Sequence, residues 1–201
     1  LMTPRYPLDN TGSEEQNVGG IIEHESDCWS AKFSYRRHDE RKGVCLCVRN
    51  DATSDFDATL VRDRPMNSDL YKADYHIDRP YQKVSHDIAL ARTRFELDRF
   101  GEVEATYAYQ VNDRKEYDIV RSDTPLAQYN FLLRSHTADA FYAHSPFTLG
   151  QNASLEGLAG FSGMLQENVY RGRLLLSDYR AFSGGLFAIE RLRLGRIELE
   201  A

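Results

Sequence analysis

The chain has 201 residues and a formal net charge of −6, which suits one large domain or one domain with an appended segment. The acidic balance argues against a nucleic-acid-binding protein, because phosphate contacts require a basic surface. No apolar run approaches the roughly 18 residues of a membrane helix. The first 20 residues lack the basic and apolar regions of a signal peptide. We therefore expect neither a nucleic-acid partner nor a membrane.

Residues 1–27 differ in composition from the rest of the chain. Prolines and glycines interrupt residues 1–20 too often for a regular element, and polar residues fill the spaces between them. A polar, glycine-rich segment of this kind cannot offset its own ordering entropy. The sequence predicts an N-terminal segment over 1–27, either a disordered tail or an extended docking arm, followed by a β-rich domain over 28–201.

The domain begins with strand patterns. Residues 29–35 alternate large apolar residues with small or polar ones, which is typical of a half-buried strand. Residues 44–48 form a short apolar run that indicates a buried strand, and 57–61 resemble a weak one. At the end of 88–97, charged residues alternate with Thr, Phe and Leu, which favours a strand there as well.

A hairpin is the clearest pattern in the middle of the chain. Residues 102–110 and 116–120 both alternate, and the polar segment 112–115 between them predicts a turn. A proline after a threonine predicts a short helix over 125–134. The four glycines of 145–164 predict a long loop.

The end of the chain is again strand-rich. Strands are predicted over 173–177, 187–194 and 196–200, with Gly184-Gly185 as a turn. The 12 Tyr and 10 Phe residues suit pleated, half-buried surfaces. The fold class predicted is all-β: an antiparallel β-sandwich or barrel-like domain with an extended N-terminal arm and few short helices.

Three cysteines raise the question of a zinc site. Cys45 and Cys47 would share one face of a strand, and Cys28 with His24 or His38 could complete a ligand set. One intervening residue is fewer than zinc sites usually have, and an odd cysteine count does not match a secreted disulfide framework. We predict reduced thiols, a cytosolic origin, no metal and no cofactor.

No complete catalytic constellation is present. Asp74, His76 and Asp78 would share a face of a strand and could supply a base with an orienting acid, but a solvated face has the same composition. No nucleophile elbow, zinc-protease motif or phosphate loop occurs. The sequence therefore predicts that the protein is not an enzyme.

Two arginines leave an alternative open. Arg37 and Arg41 have the spacing found in cyclic-dinucleotide receptors of the PilZ type, and paired arginines can clamp phosphates. The companion segment of that family is missing, and a charged hairpin tip explains the pair equally well. The alternatives to a structural role are therefore a phosphate-ligand receptor and a small-ligand-binding β-barrel protein or enzyme.

The N-terminal segment carries a family resemblance. Leu8-Asp9, Thr11-Gly12, Asn17-Val18 and Glu23 match the opening segment of virion structural proteins of contractile-tailed bacteriophages. Shorter similarities occur at Asp74-Tyr75 and in residues 179–185. The resemblance implies a tail, baseplate or neck component, present in several copies and built by contacts with other subunits in a homo- or hetero-oligomer. It also implies a location in the virion, the alternative being the cytoplasm.

The resemblance gives the predicted arm a role. An extended chain can lie along the sheet edge of a neighbouring subunit and insert alternate side chains. Asp9 and Thr11 would stabilise a local turn through bonds from side chain to backbone. The candidate partner-binding residues are Leu8, Asp9, Thr11, Val18, Ile21 and Ile22.

Overall fold

Long antiparallel strands dominate the fold. The computed structural model describes residues 5–45, 53–65, 68–72, 74–119, 124–150, 152–173 and 175–201. The strands are β1 (Ser13–Glu25), β2 (Trp29–Gly43), β3 (Tyr81–Glu96), β4 (Gly101–Tyr117), β5 (Tyr129–Gly150), β6 (Ala153–Gly172), β7 (Tyr179–Leu194) and β8 (Ile197–Glu200). Helix α1 (Thr53–Leu60) and the single turns Ser68–Leu70 and Asp98–Phe100 complete the regular elements. The predicted all-β class with few short helices is confirmed.

The eight strands form one open sheet in which each strand pairs with its neighbours in sequence, in the order β1 to β8. At one end, which we call the short-turn end, strands are joined by residues 26–28, 97–100, 151–152 and 195–196. At the other, the long-connection end, they are joined by 44–80, 118–128 and 173–178. None of the described helices has the length and apolar character needed to cross a membrane.

An almost unbroken register aligns residues across the sheet in rows. Successive side chains of a strand point to opposite faces, so paired residues in neighbouring strands share a face. Only the β5–β6 pair contains irregularities, near the short-turn end after His144. One row contains Tyr35, Ala89, Tyr109, His136, Leu165 and Phe182.

This sheet has almost no core of its own. The accessible surface is 14267 Å², whereas a compact monomer of this mass exposes about 9,700 Å². Ile77, Ala108 and Tyr170 are the buried hydrophobic residues among those described, and many large apolar side chains are exposed. A single sheet leaves both of its faces open, and no second sheet or long helix of the described residues packs over either of them.

Most of the predicted N-terminal arm belongs to the sheet. Residues 13–25 form β1 and pair with β2 from Ser13–Lys42 to Glu25–Ser30. The boundary proposed at residues 27 and 28 therefore falls in the turn between two strands rather than between two structural units. Strand β1 is an edge strand of the chain's own sheet.

Several predicted interruptions are wrong because the strands run through them. Residues 112–115 lie within β4 and Gly184-Gly185 within β7, and all of the predicted loop 145–164 except the connection 151–152 lies within β5 and β6. The predicted helix over 125–134 is also wrong, since β5 begins at Tyr129. Cross-strand pairing continues at these polar and glycine-rich positions and overrides their local turn preference.

Other local predictions have mixed outcomes. The strands predicted over 29–35, 88–97, 187–194 and 196–200 correspond to β2, β3, β7 and β8. Residues 57–61 lie mostly in α1, and described residues of 173–177 form no strand. Val44 and Cys45 lie outside β2, and the remainder of the predicted strand 44–48 lies outside the described residues.

Asn10 ties the long connection 44–80 to the sheet, which gives a first prediction. Its Nδ2 donates to the carbonyl oxygens of Val44 at 3.0 Å and Pro80 at 2.8 Å, and its Oδ1 accepts from the Asp78 N–H at 2.8 Å. We expect Asn10→Ala to lower the free energy of unfolding by about 1–2 kcal/mol in a denaturant titration, because these partners lose their bonds. Asn17→Ala removes only exposed contacts, so we expect its effect on the free energy of unfolding to be near zero. Equal losses of unfolding free energy in the two variants would contradict the role of Asn10.

Candidate functional site: an apolar band on one face of the sheet

An apolar band covers one face of β2 to β7. Each of these strands contributes four residues to this face, and the pairing between strands aligns them in four rows. The row of Trp29 is the outermost at the short-turn end, and the row of Tyr35 is the outermost at the long-connection end. We call this the apolar face and the opposite one the polar face. The band consists of Trp29, Ala31, Phe33, Tyr35, Ala89, Ala91, Thr93, Phe95, Val103, Ala105, Tyr107, Tyr109, His136, Ala138, Ala140, Tyr142, Ala159, Phe161, Gly163, Leu165, Phe182, Gly184, Leu186 and Ala188.

Large aromatic residues are concentrated in the outer rows of the band. Trp29, Phe95 and Tyr142 lie in the row at the short-turn end, and Tyr35 and Tyr109 lie in the row at the long-connection end. The two inner rows are mainly alanine and glycine. The band is thus most amphipathic at its two margins, where Tyr and Trp can place a polar atom outside an apolar layer.

The band continues onto the edge strands in a slanted position. On β1 it is continued by Val18 and Ile22, which lie toward the long-connection end. On β8 it is continued by Ile197 and Leu199, which lie toward the short-turn end beside Leu192 and Leu194. The apolar layer is therefore inclined to the strands.

An open groove crosses the inner rows of the band. Gly163 and Gly184 lack side chains there, and Tyr107, Phe161 and Phe182 border the gap. Tyr107 and His136 share a hydrogen bond between Oη and Nδ1 of 2.7 Å. The ligand-binding alternative requires an internal pocket lined by Tyr and Phe, whereas this groove lies open on a face of the sheet.

Charged residues begin one row beyond the band at the long-connection end. Arg37 contacts Asp87 at 3.5 Å, and Glu167 contacts Arg180 at 2.9 Å and Arg134 at 3.6 Å. Arg180, and then Arg134, lower the pKa of Glu167. Opposite charges alternate along this row, so the row is largely self-neutralising.

Arg37 also holds the next acidic residue. Its Nε lies 2.5 Å from Asp39, and the Ser85 hydroxyl donates to the same carboxylate. Hydrogen bonds from Arg37 and Ser85 lower the pKa of Asp39 to about 2, and Asp39 in turn raises the pKa of Arg37. The band therefore ends sharply at a layer of fixed charges.

At the short-turn end, one step outside the band, a histidine meets a glutamate. The His144 Nε2 lies 3.1 Å from the Glu190 carboxylate, and Nδ1 lies 2.9 Å from the Ser145 carbonyl oxygen. The Ser145 carbonyl, and then Glu190, raise the pKa of His144. The protonated imidazole can donate to both acceptors at once.

The raised pKa gives a second prediction. Because the folded pKa of His144 exceeds its unfolded value of about 6.5, its stabilising contribution is fully present below that pH and is lost as the pH rises through the folded pKa. We expect Glu190→Gln to narrow the difference in unfolding free energy between acidic and alkaline buffer. Denaturant titrations of the wild type and of Glu190→Gln, carried out in parallel from acidic to alkaline buffer, measure this difference. Identical dependence of the unfolding free energy on pH in the two proteins would contradict the contribution of the His144–Glu190 pair.

The polar face carries a dense ion-pair network near the short-turn end. Arg94 lies 2.5 Å from Glu102, and Arg92 lies 3.4 Å from Glu104. Across β6 to β8, the pairs are Arg191–Glu200 at 2.6 Å, Arg193–Glu156 at 2.9 Å and Arg193–Glu198 at 3.1 Å. This face also carries apolar residues such as Leu90, Phe141 and Phe187, but its ion pairs make it more polar than the apolar face.

The predicted partner-binding residues lie in different settings. Thr11 donates to the Leu8 carbonyl oxygen at 3.0 Å, which is the local turn that the sequence predicts. Val18 and Ile22 point to the apolar face, and Ile21 points to the polar face. Asp9 and Leu8 are half-buried before β1 begins. Their binding of a partner stays a prediction.

The cysteines and the acid–histidine motif do not form a metal site in the described part of the chain, where no cluster of three ligand residues occurs. Cys28 is free and exposed, whereas Cys45 is in a disulfide, which contradicts the expectation of reduced thiols. Cys47 lies outside the described residues. His76 contacts Asp78 at 2.9 Å in an exposed connection rather than on a strand.

The two arginines of the receptor alternative lie on the apolar face, four residues apart on β2. Arg37 is held by Asp39 and Asp87, and Arg41 lies over the Tyr81 ring and donates to the Ile77 carbonyl oxygen. Both are therefore engaged within the chain. The apolar band itself was missed because its rows depend on the register between strands.

Comparison with known proteins adds no relative. The chain matches no protein-family model, and no curated protein or solved structure is significantly similar to it.

Proposed function

We propose that the chain forms a membrane-embedded sheet whose strands cross a lipid bilayer, with the apolar face against lipid and the polar face lining an aqueous interior. The observation that carries this proposal is the continuous apolar band, which is bordered by aromatic rows and ends at charged residues at the long-connection end. This differs from the expectation of no membrane drawn from the sequence.

The dimensions of the band support a lipid partner. The Cα atoms of its outer rows are six residues apart along each strand, or about 20 Å. Adding half a row at each margin gives about 27 Å along the strands, or about 20 Å along the membrane normal for strands inclined as in membrane-spanning sheets, which is of the same order as their roughly 25 Å of lipid-facing apolar surface. Strands in such sheets are inclined to the membrane normal, which agrees with the slant of the band from β1 to β8.

Backbone pairing supports the same proposal. Hydrocarbon offers no partner for an unpaired N–H or C=O, so a sheet that crosses it must pair all of its strands. Strands β2 to β6 are paired on both sides along most of their length. The outer edges of β1, of residues 179–189 in β7 and of β8 are unpaired among the described residues. The proposal requires further strands there, from this chain or another.

The disulfide at Cys45 gives independent support. Disulfides persist in oxidising compartments and are rare in the cytosol. Cys45 lies at the start of the longest connection of the sheet, residues 44–80, which the proposal leaves outside the lipid. No catalytic role is part of the proposal.

The single tryptophan supplies the experiment. Trp29 lies in the outer row at the short-turn end, and it is the chain's only Trp. In vesicles, we expect its emission to be quenched by lipids brominated near the headgroup end of the acyl chain and to be protected from aqueous iodide. In a Trp29→Phe, Phe33→Trp variant, the strongest quenching should move to deeper bromine positions. Free access of iodide without quenching by brominated lipid would refute the membrane proposal.

A second candidate keeps the assembly role that the sequence predicts: a virion or other oligomeric component whose sheet docks on neighbouring subunits. The unpaired outer edge of β1 favours it, because an edge strand can accept a strand from a partner. Under this candidate the chain forms a defined oligomer in buffer without lipid or detergent, and deletion of residues 1–25 abolishes assembly. Normal assembly of the truncated chain would rule this candidate out.

A further inference from the structure

A basic row crosses the apolar face near the long-connection end. Arg41 pairs with Lys83, Lys83 pairs with Lys115, and on β6 the same row contains Arg171. Asn130 occupies the position on β5, and Glu14 of β1 pairs with Arg41 at the edge of the row. At the opposite margin of this face, from the row of Trp29 to the short-turn end, the described strands contain no Lys or Arg. Basic residues are therefore confined to one end of the apolar face.

Three neighbouring cations are unfavourable without an anion. Directly paired residues of neighbouring strands have Cβ atoms about 5 Å apart, and like charges at this distance destabilise a sheet. Lys115 is compensated by Asp113 at 2.6 Å, and Arg41 by the Tyr81 ring. Lys83, between them, is exposed; it interacts electrostatically with Asp39, but the two form no ion pair within 4 Å among the described residues. In this respect the row differs from the row of Arg37, in which basic and acidic residues alternate.

We infer that the row of Arg41, Lys83, Lys115 and Arg171 binds the phosphates of anionic lipid headgroups. The inference depends on the proposed membrane function, because it places this end of the face in a headgroup layer. The row lies six residues beyond the row of Tyr35, or about 20 Å along the strands. Strand inclination shortens this to about 15 Å along the membrane normal, and long basic side chains reach back toward the lipid.

Lysines on opposite faces of the same sheet provide the test. Lys83→Gln and Lys83→Gln/Lys115→Gln remove charge from the basic row. Lys42→Gln is the matched control, because Lys42 follows Arg41 directly and points to the polar face, where it pairs with Gln82. Each protein is bound to vesicles of phosphatidylcholine alone and of phosphatidylcholine with phosphatidylglycerol, at low and high salt, and its affinity is measured by flotation.

We expect the wild type and Lys42→Gln to prefer the anionic vesicles at low salt, and each removed charge of the row to weaken this preference about fivefold. High salt should reduce the preference. Equal affinity of the wild type for both vesicles, or equal losses in Lys42→Gln and Lys83→Gln, would overturn the headgroup inference. Bromolipid quenching of Trp29 is measured in the same vesicles. Quenching without lipid preference defeats this inference alone, whereas absence of quenching in both vesicles defeats the membrane proposal beneath it.

Discussion

Phe33→Lys is expected to destabilise the protein in phospholipid vesicles by about 2–4 kcal/mol, the cost of a basic residue at the middle of a lipid-facing sheet surface. Phe33 lies in an inner row of the band, between Ile22 of β1 and Ala91 of β3, and its side chain is 48% exposed. In the proposed arrangement, that exposed surface contacts hydrocarbon. A lysine there must leave water or distort the bilayer.

Ser34→Lys is the matched control because Ser34 is the next residue of β2 and points to the polar face, between Ile21 and Leu90. Its substitution should cost less than about 0.5 kcal/mol, as for a surface change that meets water. Denaturant titrations of both variants in the same vesicles measure the difference. Similar losses in the two variants, or a tolerated Phe33→Lys, would show that hydrocarbon does not cover this face.

Alternation made part of the fold predictable. Residues 29–35 reveal β2 because Trp, Phe and Tyr on one face alternate with Ser and Lys on the other. The band is less visible on β3 and β5, where Ala89, Ala91 and Ala138 fill it with small side chains. Small residues contribute little to a hydrophobic period, so only register brings them into line with the aromatic rows.

Strand ends were harder to predict for a different reason. Beyond the band, at the long-connection end of β4, the residues of both faces are polar, so the hydrophobic period disappears there while backbone pairing continues. Residues 112–115 therefore resemble a turn although they pair with residues of both β3 and β5. Likewise, β1 begins with Ser13, which is followed by the acidic and amide residues 14–17. The polar composition of this segment therefore predicts a separate arm, whereas in the structure it is a strand ordered by its pairing with β2.

Gly160→Val is expected to lower the free energy of unfolding by about 3 kcal/mol through overpacking. Gly160 lies on the polar face of β6, between Phe141 of β5 and Phe187 of β7. A Cβ added there would lie 2.4 Å from the Ala140 carbonyl oxygen and 2.6 Å from the Phe187 ring. The two aromatic side chains therefore need the space that glycine leaves, and a branched residue forces them or the backbone to move.

Gly163→Val separates this packing effect from the general loss of a glycine. Gly163 is on the same strand, but its Cβ would meet no atom closer than 3.9 Å, and it lies on the apolar face. A β-branched residue favours the strand conformation and adds apolar surface toward lipid. We expect Gly163→Val to be neutral or stabilising in vesicle unfolding titrations. A comparable loss in both variants would mean that β6 needs glycine for its backbone conformation, and that the two phenylalanines do not account for the cost at Gly160.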